Sequence, residues 1–150
     1  MENQQETNKQ TLEEYISFHQ KTWSDLVTEM NAKMKKFSDI PDLQNVVYAK
    51  RQDALDYYFI LLGKVADLVK NYRVLYAKQY NYYKTTAQIR YSSDTAINAQ
   101  IDSDLSVEKY HINLLDNHAK YMQETIKTID SIIYGINNRI RVEELISGVK

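Results

Sequence analysis

Five tyrosines and three cations fall within the thirteen residues from Tyr72 to Lys84, and that concentration is where this chain could do chemistry. Tyrosine pairs an apolar ring with a polar tip. Tyr72, Tyr76, Tyr80, Tyr82 and Tyr83 beside Arg73, Lys78 and Lys84 therefore suit a wet interface, with a protein partner or with the stacked bases of a single strand. The competing reading is that the rings fill a helical core.

Other chemistries find little support. Asp102 and Asp104 could offer carboxylates to Mg²⁺ or Ca²⁺, but further oxygen ligands at suitable spacing are missing, and capping a helix that begins there is the better account. His111 and His118 lie seven apart, on nearly one helix face, without the His-Glu spacing of a zinc protease; they read as interface or surface histidines. Three glycines could hardly build a phosphate-binding loop, and with no cysteine there is no disulfide, thiolate metal site or Cys nucleophile. The expectation is a protein that is not an enzyme and needs no metal or cofactor.

Charge is distributed unevenly. The net charge of −1 gives no global attraction to nucleic acid or anionic lipid, so such binding must come from local patches. From Lys64 to Arg90 six cations meet one anion, Asp67, whereas from Asp94 to Asp116 five anions meet one cation, Lys109. One reading is that these are complementary faces of neighbouring helices. With Lys70 as origin and about 100° per residue, Arg73, Ala77 and Lys84 fall in one band near 300° to 340°, bordered by Tyr80. Tyr72, Tyr76 and Tyr83 share the side of Leu61, Val65 and Leu68 and read as core, while Lys78 and Tyr82 lie on the opposite flank. The candidate single-strand contacts are thus Tyr80 and Tyr82 for stacking, with Arg73, Lys78, Lys84, Lys70 and Arg90 for phosphate.

The elements that position these residues should all be helical. At 150 residues, with 43% apolar and 26% charged residues but only three Gly and one Pro, the chain suits one all-α domain of long uninterrupted elements. Residues 1–10 are polar and unpatterned and read as disordered. Thr11 and Glu14 form a capping box that opens a helix over about 11–37, which must stop before Pro41. Asp42 can cap a second helix over about 42–85, which Gly63 could bend; a polar loop follows over about 86–103, and a third helix over about 104–147. Ile126, Ile129, Ile133, Ile136 and Ile140 keep close to a heptad rhythm, as oligomerising helices do. No signal sequence or bilayer-spanning run is present, so a soluble, intracellular protein without membrane contact is expected.

The order YAKQYNYYK, then AQIDSDL, then an Ile-rich helix ending in INNR, resembles the UvsY family, the recombination mediators of T-even-like bacteriophages. The resemblance covers about Ile40 to Lys150. It implies a helical-bundle or coiled-coil-like protomer in a ring-like homo-oligomer, a heptamer among the candidate rings, that binds single-stranded DNA. It further implies that the protein loads a phage RecA-type recombinase onto strands covered by the phage single-strand-binding protein, in the cytoplasm of the infected host. Family members usually carry basic residues at positions corresponding to about Ala77 and Gln79, whereas the cations here are Arg73 and Lys78. The rival expectation is a structural or scaffold oligomer of helices that binds no DNA.

Overall fold

The structure is a computed structural model that describes residues 11–148; the segment 1–10, expected to be disordered, lies outside the described residues. The capping box forms as the sequence predicts. Thr11 Oγ1 accepts from the Glu14 N–H at 3.2 Å, and the Glu14 carboxylate accepts from the Thr11 N–H at 3.0 Å. These bonds satisfy donors that a helix start leaves orphaned and open α1, Leu12–Lys33. Its end comes four residues earlier than the expected limit at 37, and a 3-10 turn at Phe37–Asp39 leads directly into α2, Ile40–Asn81. Pro41 sits in the first turn of α2, where its missing N–H has no intrahelical bond to lose. Asp42 is inside that turn rather than capping it, and its charge favours the helix N-terminus.

α2 runs unbroken through Gly63 for 42 residues, a length of about 63 Å at about 1.5 Å per residue. It ends in a π-helical turn, Tyr82–Thr86, in which the Ala87 N–H donates to the Tyr82 carbonyl at 2.9 Å. Beyond it the expected loop over 86–103 is corrected: after a short extended link, residues Asp94–Asp104 form a helix, α3. Ser93 caps it, its Oγ accepting from the Ala96 N–H at 3.2 Å. The apolar positions Ile97, Ile101 and Leu105 fall four apart, so this helix carries a single narrow row and its sequence window looks polar. Leu105 alone separates α3 from α4, Ser106–Ser147. Asp102 and Asp104 therefore stand in the last turn of α3 rather than capping the helix that follows.

The described residues thus form an all-α protein of four α-helices, with α2 and α4 packed together. They divide into two compact units. In the first, made by residues through Arg51 and from Thr125 onward, Ile16 and Met30 of α1, Ile40, Leu43 and Val47 of α2, and Ile126, Ile129, Ile132 and Ile136 of α4 are buried. Polar ties fix its register: Arg51 Nε donates to Asp130 Oδ1 at 2.5 Å, Gln44 donates to Asn137 at 3.2 Å, and the Arg139 guanidinium caps the Met34 carbonyl after α1.

The second unit comprises Gln52–Glu124. Here Ala54 and Leu61 of α2 are buried, as are Leu115, Ala119 and Met122 of α4. His118 belongs to this interior and is no surface or interface group. It is fully buried, with Nε2 2.9 Å from the Tyr57 hydroxyl and its ring stacked on Tyr121 at 6.2 Å between centroids.

Candidate nucleic-acid interface

Tyr72, Tyr76 and Tyr80 follow one another at four-residue spacing, so one side of α2 carries a row of rings. With Tyr83 and Tyr91 they pack on the cluster Ile97, Ile101 and Leu105. Their hydroxyls find partners along α3. Tyr72 donates to Asp102 at 3.3 Å, Tyr76 to Asn98 at 2.9 Å, and Tyr83 to Asp104. Hydrogen bonding to Asp104, with burial and that carboxylate's charge, pushes the Tyr83 phenol up to about 12, while burial first and then Asp102 raise Tyr72. Both phenols therefore stay neutral donors to carboxylates.

Lys84 closes the row. Its Nζ donates to the Tyr80 hydroxyl at 3.1 Å and to Asp94 at 3.3 Å, and lies 5.2 Å from the Tyr80 ring centroid. The bond to Tyr80, followed by that to Asp94, holds the ammonium above its ordinary range. Of the predicted phosphate contacts, Lys84 is thus already paired, and of the predicted stacking rings, Tyr80 is half-buried between the α3 cluster and Lys84. The Lys84–Asp94 ion pair joins the basic stretch, at the π turn, to the acidic stretch, at the start of α3.

The remaining candidates are placed differently. Lys70, Arg73, Lys78 and Arg90 are exposed and make no ion pair among the described residues. Tyr82 is 50% exposed, its ring edge-on to Tyr83 at 5.3 Å. Lys70, Val74, Lys78 and Tyr82 are four apart and all exposed, so they form one outward row that runs along the end of α2 to the first residue of the π turn. Lys78 and Tyr82, with Leu75 and Gln79, line a shallow depression there. The helical wheel puts Arg73 and Lys84 in one band and Lys78 with Tyr82 on another flank; four-residue spacing back to Lys70 is the signal that completes this row. Arg90 lies in the link before α3, away from that helical row in sequence.

The five isoleucines assigned to assembly are largely occupied within the chain. Ile126, Ile129 and Ile136 are buried in the first unit, and Ile133 and Ile140 are half-buried. Their heptad rhythm describes the stripe that covers α1 and the start of α2. The open apolar positions of α4 are instead Val107 and Tyr110 near its start and Tyr134, Val142, Leu145 and Ile146 toward its end, the last two each 82% exposed.

Among the described residues, no group of three or more His, Cys, Asp or Glu is placed to hold a metal ion, and no helix is long and apolar enough to cross a membrane. Comparison with protein-family models, with curated proteins and with solved structures finds no match.

Proposed function

We propose that this chain is a non-enzymatic protein that binds single-stranded DNA along the outward row of α2, with Lys70 and Lys78 on phosphates and Tyr82 stacked on a base. The observation that carries this reading is an exposed row holding two cations without partners among the described residues and an open aromatic ring. Arg73 and Arg90, also exposed and without an ion pair among the described residues, extend the basic surface. Lys70 and Lys78 stand about 12 Å apart along the helix, at about 1.5 Å per residue, so one extended strand can meet both.

A protomer of net charge −1 holds a strand weakly, and self-association multiplies the contact by raising the effective concentration of each further row. In this reading the ring-like homo-oligomer assembles through Val142, Leu145 and Ile146, which share one exposed face at the end of α4. The UvsY resemblance extends the proposal to a phage recombination mediator that loads a RecA-type recombinase onto strands covered by single-strand-binding protein.

A second reading, a structural or scaffold oligomer with no DNA binding, is favoured by the tyrosine hydroxyls that are tied into α3. Fluorescence anisotropy of a labelled oligonucleotide at two salt concentrations separates the two. DNA binding predicts an affinity that falls steeply with salt and is weakened in Lys70→Ala/Lys78→Ala at unchanged oligomer mass. Absence of binding, or binding indifferent to both changes, leaves the scaffold.

A further inference from the structure

Four rings, from Tyr72, Tyr76 and Tyr80 of α2 and from Tyr83 of the π turn, face α3 across three buried aliphatic side chains, Ile97, Ile101 and Leu105. The rest of the contact is polar: hydroxyls on Asp102, Asn98 and Asp104, and Lys84 on Asp94. Three aliphatic side chains bury little apolar area to offset the entropy of ordering an eleven-residue helix. The last turn of α3 also carries Asp102 and Asp104 at the negative end of the helix dipole; Lys109 of α4 reaches Asp102 at 3.7 Å, but that pair is exposed and screened by solvent. A π turn and extended residues join α3 to α2, and Leu105 alone leaves helical geometry before α4. α3 is therefore held by carboxylates on phenols and an ammonium and by flat rings under aliphatic groups. A single strand offers the same partners, with phosphate in place of carboxylate and base in place of aliphatic side chain.

We propose that the ring surface beneath α3 is a second, covered binding surface for single-stranded nucleic acid, with α3 as its acidic cover. The inference rests on the single-strand reading above. A strand first held by the Lys70 to Tyr82 row displaces α3; Lys84, released from Asp94, turns to phosphate, and bases stack on Tyr72, Tyr76, Tyr80 and Tyr83. No bond is made or broken.

The test uses the full chain, a fluorescein-labelled oligothymidine, and the double variant Ile97→Ser/Ile101→Ser, which loosens α3 without changing charge. The variant is expected to bind about tenfold tighter or more for each ring that becomes available, with stronger quenching of tyrosine fluorescence. In the wild type, backbone amides of α3 should exchange with solvent faster in the oligonucleotide complex than in the free chain. That measurement stands even where the double variant fails to fold. If the wild type binds but the folded variant binds no tighter, or if α3 is no less protected in the complex, the cover is overturned while the outer row stands. If neither protein binds, both readings fall.

Discussion

Tyr83 donates its hydroxyl hydrogen bond to Asp104, twenty-one residues further along the chain, and so ties the π-helical exit of α2 to the last turn of α3. Neither residue is near the other in sequence, and the bond is part of what makes α3 a helix in place.

Tyr83 should make the docking of α3 sensitive to alkali. Its pKa is raised from the ordinary phenol value of 10.0 to about 12, so the neutral phenol is the form that the fold favours. The stabilisation is fully present below pH 10 and is lost as pH rises through about 12, where tyrosinate would face the Asp104 carboxylate. An alkaline titration followed by tyrosinate absorbance and near-ultraviolet circular dichroism should show Tyr72 and Tyr83 titrating late, with the Tyr83 step near pH 12 coinciding with loss of packing. In Tyr83→Phe that late step should be missing.

Tyr82 and Tyr80 should part ways when truncated. Tyr82→Ala should lose roughly 1–3 kcal/mol of single-strand binding with little change in thermal midpoint. Tyr80→Ala should first lower the thermal midpoint, because its ring packs on the α3 cluster and supports Lys84, and should change binding only through the surface beneath α3. Paired measurements of affinity and melting for both variants check the assignment.

Ile129 should act on stability, and Leu145 on assembly. Ile129 is fully buried, so Ile129→Ala should cost about 2–5 kcal/mol in chemical denaturation. Leu145→Asp with Ile146→Asp should leave that value nearly unchanged and reduce the mass seen by light scattering. Loss of mass in Ile129→Ala at full stability would reverse the assignment.

The two glycines inside long helices should differ. A Cβ at Gly63 would meet nothing within 4 Å, so Gly63→Ala should stabilise by roughly 0.5–1 kcal/mol through helix propensity and reduced unfolded-state entropy. At Gly135 a Cβ would come within 3.1 Å of Met34 Sδ, so the thioether must shift and the gain should be smaller. Denaturation midpoints of both variants decide it.

The Arg51–Asp130 bond, though 2.5 Å long, joins side chains that are 37% and 45% exposed. Solvent screening should hold its coupling in a double-mutant cycle to about 0.2–1 kcal/mol, and less at high salt.

Local chemistry was legible in the sequence wherever one segment decides the outcome. The scarcity of Gly and Pro set the all-α class, Thr11 and Glu14 set the start of α1, and the apolar runs located the two long helices to within a few residues at most ends. α3 was not legible, because a narrow row at Ile97, Ile101 and Leu105 signals a helix only when a ring surface lies opposite to cover it. The isoleucines of α4 show the same limit. Their rhythm reports an apolar stripe, but periodicity carries no information about whether α1 and α2 of the same chain or another copy will cover it. Charge was ambiguous for a related reason: Lys84 and Lys78 have the same ordinary chemistry and both are exposed, and only the tertiary structure, by bringing Asp94 to Lys84 and no described carboxylate to Lys78, decided which remains open to a partner.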